Sequence, residues 1–130
     1  MRALTICVVL LAIGCGDSTG PAASVAGTWT LQSLNGFAVP FKSPRAGGDT
    51  LELTSDVITA TASGTFTQMT VVKTTTSGLV TIDSIPDAGT YSVKGNVVTF
   101  DFTSNAPNGS GLIDGNTMTV TTDIRLVYVR

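Results

Sequence analysis

From Ser24 onward, apolar and polar residues alternate with a period of two, the signature of half-buried strands. In GTWTLQ, Trp29 and Leu31 share one face, with Thr28, Thr30 and Gln32 opposite. Leu51 and Leu53 do the same around Glu52, as do Tyr91 with Val93, Val98 with Phe100 and Phe102, and Met118 with Val120. With Phe66, Leu112, Leu126 and Tyr128 these residues form the predicted inward set. In GTFTQMTVV, Gly64 to Val72, the phase breaks between Phe66 and Met69, which predicts a β-bulge there. GLVTIDSI and the terminal IRLVYV are dense in apolar residues, which predicts strands facing protein on both sides.

Turn chemistry separates the runs. Asn35-Gly36, Ala62-Ser63-Gly64, Pro86-Asp87-Ala88-Gly89, Gly95-Asn96 and Asp114-Gly115 each fall between apolar stretches. Asn-Gly and Asp-Gly pairs supply the positive φ angles of tight hairpins. No amphipathic helical pattern occurs after Ser24. Eight or nine short strands at hairpin spacing predict an antiparallel meander, which removes its edges by closing into a barrel. The predicted fold is therefore all-β, a small antiparallel up-and-down barrel of about eight strands over residues 25–130.

The amino-terminal residues read differently. Arg2 precedes the apolar run Ala3 to Gly14, which is shorter than the roughly 20 residues of a membrane-spanning helix. A basic start, a short apolar run and a small residue at its end have the form of a secretory signal over residues 1–14. Its last letters, Leu11-Ala12-Ile13-Gly14-Cys15, resemble the lipobox of bacterial lipoproteins. That resemblance implies cleavage after Gly14 and acylation of Cys15, a lipid anchor in the cell envelope, with outer-membrane sorting implied by Gly16 rather than Asp after the cysteine. Cys7 would leave with the signal. Residues 15–24 then form a lipidated tether, GDSTGPAAS after the cysteine, with a reach of about 30 Å at full stretch.

The formal net charge is −2 and becomes one unit more negative when Arg2 is removed, the opposite of a nucleic-acid groove. The chain has no histidine, which takes away the commonest general base and metal ligand. No cysteine would remain in the domain for thiol chemistry, and the scattered carboxylates match no calcium-loop spacing. The composition thus predicts no catalytic residues, no metal and no cofactor.

Gly27-Thr28-Trp29 on the first strand resembles the lipocalin G-x-W motif, and GTWTLQSLNGFAVP together with the closing LVYVR is similar to the short lipocalin-like domains of bacterial lipoproteins. In that superfamily the tryptophan closes one barrel end beneath a late arginine. The resemblance therefore implies a pair of Trp29 with Arg130, or with Arg125. It also implies a pocket for a small hydrophobic or amphipathic ligand, drawn from Leu31, Leu53, Phe66, Tyr91, Phe100, Phe102, Met118 and Tyr128. The loop from Asn35 to Asp49, carrying Phe37, Val39 and Phe41, would lie over the mouth as a lid or plug its end. Two non-enzymatic alternatives stand beside this: a META-like domain, which has a similar opening, and a protease-inhibitor-like small barrel. Either would have a filled core and a structural or interaction role in the envelope.

Overall fold

A computed structural model describes residues 23–130. Residues 1–14, expected to be a secretory signal, and Cys15 lie outside the described residues. Ten strands follow one another: β1 (Gly27–Leu34), β2 (Phe37–Ala38), β3 (Phe41–Pro44), β4 (Thr50–Ala60), β5 (Thr65–Thr76), β6 (Leu79–Lys94), β7 (Val97–Phe102), β8 (Gly109–Asp114), β9 (Thr117–Thr121) and β10 (Arg125–Val129). All pairings are antiparallel, in the order β2-β1-β10-β9-β8-β7-β6-β5-β4-β3. The ladder β1–β4, with Trp29 opposite Ile58, joins the ends of this order and closes eight strands into a barrel. β2 and β3 are short additions built from the loop between β1 and β4.

The period-two pattern is realised in the core. Trp29, Leu31, Ile58, Phe66, Val98, Phe100, Met118 and Tyr128 are all buried on the inner face. Phe66 anchors it, with Phe100 and Phe102 each edge-on at 5.0 Å between ring centroids. Such pairs are worth about 0.5–1.5 kcal/mol beyond the area they bury. The hairpin between β1 and β2 turns on Asn35 and Gly36, both at positive φ.

Four sequence expectations are corrected. First, Pro86 to Gly89 form no turn: they lie inside β6, paired with β5 from Phe66 to Met69. Gly89 is there for space, because a Cβ would stand 2.0 Å from the Asp101 carbonyl oxygen and 2.9 Å from the Phe66 ring. Second, β5 carries no bulge. Its register with β6 is unbroken, and Met69 simply faces outward. The irregularity sits instead on β4, where Thr54 is the extra residue between Leu53 opposite Val72 and Ser55 opposite Val71.

Third, Leu112 faces solvent and Ile113 faces the core. The small residue Gly111 occupies the inner face beside Met118, Val98 and Val120, whose side chains would crowd an added Cβ at 3.1–3.2 Å. Fourth, the GLVTIDSI segment is not enclosed. β5 and β6 run on past the end of β7 as a hairpin that turns at Ser77-Gly78, and Leu79, Val80, Ile82 and Ile85 are all exposed.

Candidate functional site

The barrel has two distinct ends. Ala23, the turns at 61–64, Gly95 and Gly115, and the carboxyl terminus lie at one end. The β1–β2 turn, the β5–β6 hairpin tip and the segments 103–108 and 122–124 lie at the other.

The first end is sealed. Trp29 is fully buried, and its Nε1 donates to the Val25 carbonyl oxygen at 2.7 Å. The Arg130 guanidinium carbon stands 4.6 Å from the indole centroid, a cation–π contact. The same guanidinium donates to the carbonyl oxygens of Ser24 at 2.8 Å and Gly115 at 3.4 Å, tying the segment before β1 to the residue after β10. Arg125 sits at the far end of β10, where its backbone N–H donates to Asn35 Oδ1.

Inside the barrel, toward the open end, lies a cavity of about 110 Å³. Ile58, Phe100, Phe102, Pro107, Gly109, Val120, Thr122 and Leu126 line it, with Gln68 and Tyr128 as its polar wall. Of the eight pocket residues expected from the resemblance, Phe100, Phe102 and Tyr128 reach this cavity. Leu31, Phe66 and Met118 are core residues that do not line it, and Leu53 packs against that core. Tyr91 points to the sealed end, where its hydroxyl donates to the Thr61 carbonyl oxygen. In the loop after β1, Val39 packs on the core, Phe37 is exposed, and the Phe37 and Phe41 rings meet at 5.5 Å. None of the three lines the cavity.

Sequence reasoning missed the group behind the polar wall. Asp56 is 6% exposed and points inward from β4. Gln68 Nε2 donates to both carboxylate oxygens, at 2.9 and 2.8 Å, and the Tyr128 hydroxyl donates to Oδ2 at 3.2 Å. Burial pushes the Asp56 carboxyl above the ordinary 3.8, and the hydrogen bonds from Gln68, Tyr128 and Thr70 oppose that rise. Burial, and secondarily the Asp56 charge, raises the Tyr128 phenol, so it remains a donor at neutral pH. With Gln68 Nε2 and the Tyr128 proton both committed to Asp56, what these two side chains leave to a cavity occupant are acceptors, Gln68 Oε1 and Tyr128 Oη, beside the Thr122 side chain on the lining. The only sequence signal for Asp56 was a second carboxylate, four residues after Glu52, within a Thr-rich strand.

A second, wider cleft of about 530 Å³ lies on the outer wall, between Val57, Met69, Pro86, Ala88 and Thr103. It is open and on the opposite face of β4 and β5 from Asp56. Among the described residues, no three His, Cys, Asp or Glu side chains converge as metal ligands, and no helix is long and apolar enough to cross a membrane.

The closed eight-strand meander and its tryptophan–arginine end coincide with a family-level match: a model described as a lipocalin-like domain covers residues 25–128. The chain belongs to that family. No curated protein and no solved structure matches it. As a lipocalin-like domain it has a sealed end at Trp29 and a cavity toward the other, with Asp56 as a buried polar group of its own.

Proposed function

We propose that this lipocalin-like domain is a non-enzymatic binding module, held at a bacterial membrane through lipid on Cys15, for a small amphipathic molecule. The observation that carries the reading is the cavity, apolar on most sides with Gln68 and Tyr128 on one wall. Its volume of about 110 Å³ is below the roughly 300–1,000 Å³ of drug-sized ligand sites. It suits a compact ligand or the tip of a longer one, inserted from the open end. The two free acceptors favour an occupant whose buried end carries a hydroxyl or amine N–H, since a donorless tip would leave both unpaired.

The lipobox and the short tether support the anchored form. They would put the domain within reach of a lipid or lipophile pool in the envelope, outer membrane included. The small cavity also favours a second reading, a filled barrel that works through its outer surface, as in the envelope interaction proteins named above.

Native mass spectrometry on the full chain, purified from several hosts, separates the two. A reproducible small-molecule adduct that disappears when Gly109→Val narrows the cavity supports the binding module. A clean apo mass from every host overturns it in favour of the filled barrel. For the anchor, Cys15→Ser should move the protein from the membrane to the soluble envelope fraction, and retention in the membrane would refute lipidation.

A further inference from the structure

Among the described residues, β6 has a neighbour on one side only beyond residue 88 toward its tip. β5 pairs with it along its whole upper half, from Met69↔Pro86 to Thr76↔Leu79, whereas β7 pairs only from Gly89. The direction of the unpaired backbone groups follows from one bond. The Thr103 N–H donates to the Ala88 carbonyl oxygen at 2.9 Å, so Ala88 turns its main-chain groups away from β5. In an unbroken antiparallel register alternate residues do likewise. Val80, Ile82 and Ser84 therefore present their N–H and C=O groups along a free edge, flanked by exposed Leu79 and Ile85. Proteins blunt such edges with lysine, bulges or proline. Here the stretch has no lysine and no bulge, Asp83 is its one charged residue, and Pro86 stands only at its end.

We infer that this edge is an interaction surface for a second copy of the same chain, the two β6 strands pairing antiparallel about a two-fold axis at Ile82. The self-match decides the occupant and the register. With Ile82 opposite Ile82, Val80 lies opposite Ser84 of the second copy, and the three outward-turned residues of each strand meet their counterparts in hydrogen-bonded pairs. On the other face Leu79 meets Ile85, covering two of the most exposed apolar side chains, and Asp83 meets Thr81. Moving the axis to Asp83 would set two carboxylates face to face and place Pro86, which has no N–H, opposite Val80. Moving it to Thr81 would seat Asp83 against Leu79. In the favoured register the partner's Gly78 arrives opposite Pro86. The pairing ends there, short of the bonds that Thr103 and Ser104 make to Ala88 and Asp87.

Seven residues a side, Leu79 to Ile85, is about a third of the 20–30 in a standard interface, so the pair forms reversibly and is favoured by crowding on a surface.

Disulfide trapping in the full chain tests the register. Cα atoms in a hydrogen-bonded antiparallel pair are about 5.5 Å apart, inside the range a disulfide spans. Ile82→Cys should form a covalent dimer under mild oxidant at least about tenfold faster than Val80→Cys or Ser84→Cys alone. A mixture of the Val80→Cys and Ser84→Cys chains should give the mixed dimer. The unsubstituted chain controls for Cys7 and Cys15, and Trp29 fluorescence confirms that each variant is folded. Equal trapping at all three positions, or none at Ile82→Cys in a folded chain, overturns the pairing. So does a chain that stays monomeric while its hairpin binds phosphatidylcholine vesicles through Leu79 and Ile82.

Discussion

The Tyr128 hydroxyl donates to Asp56 Oδ2 across 3.2 Å, linking the last strand of the barrel to the first long strand after the loop. The carboxylate is 6% exposed, and the aromatic and aliphatic side chains of the cavity lie beside it. Gln68 and Tyr128 are held by it, and in turn they make its burial tolerable.

The raised pKa of Asp56 gives the domain a signed pH dependence. Between the unfolded value near 3.8 and the higher native one, the native state binds more protons than the unfolded chain. The Asp56 contribution to stability should therefore be fullest at low pH, fall as pH rises through that window, and level off above the native pKa. Asp56→Asn should remove this slope and be at least as stable as wild type at neutral pH. Asp56→Ala, which leaves Gln68 and Tyr128 without their acceptor, should cost about 1–3 kcal/mol. Denaturant midpoints across the acidic to neutral range check both. A slope unchanged in Asp56→Asn would assign it to other groups.

Closure of the sealed end should be divisible between two residues. Trp29→Ala should cost about 3–5 kcal/mol by emptying a fully buried site. Arg130→Ala should cost about 1–2 kcal/mol, with Arg130→Lys between it and wild type, because lysine keeps the charge over the indole but not the fork that reaches Ser24 and Gly115. Arg125→Ala should stay within about 0.5 kcal/mol. Thermal or denaturant unfolding followed by circular dichroism reads all four variants, because Trp29→Ala removes the only tryptophan.

Two glycines should respond to an added methyl in a fixed order. At Gly89 the obstacle is the Asp101 backbone, which cannot swing aside without breaking the β6–β7 ladder. At Gly111 the nearest atoms, at 3.1–3.2 Å, belong to the side chains of Met118, Val98 and Val120, and methionine adapts. Gly111→Ala should cost about 1–3 kcal/mol, and Gly89→Ala more. Equal unfolding midpoints for the two would contradict the space argument.

The cavity should be adjustable without loss of the fold. A Cβ at Gly109 would stand 3.7 Å from Val120 Cγ1, an ordinary contact, so Gly109→Ala should fold normally and weaken binding of a small fluorescent amphiphile. Phe102→Ala should widen the same space, admit bulkier probes, and cost about 3 kcal/mol or somewhat less, since Phe102 is only partly buried. Titration of the probe into the three proteins orders their affinities.

What could be read from the sequence was what depends on neighbours along the chain. Alternation identified the faces of β1, β7 and β9, because adjacent side chains on an extended backbone must point opposite ways. Asn35-Gly36 marked its turn because those residues adopt positive φ at little cost. Trp29 stood out as the one large aromatic on the first strand. These sufficed for a small antiparallel barrel. The cavity wall was less visible. Phe100, Phe102 and Tyr128 carry its parity in their apolar spacing, whereas Pro107, Gly109 and Thr122 reach it from loop ends and a strand start that no period marks.

Only the tertiary structure decided where parity changes and where the barrel stops. The extra residue Thr54 shifts β4 by one, so the inner face passes from Leu51 and Leu53 to Asp56, Ile58 and Ala60. Counted by twos from Leu53, Asp56 would face solvent; the bulge turns it into the core beside Gln68 and Tyr128. Such a shift is a property of two paired strands and is absent from either alone. The exposed apolar hairpin has the same origin. Leu79 to Ile85 read as a buried strand because their composition is that of one, and they lie outside because β7 ends at Phe102 and offers them no partner.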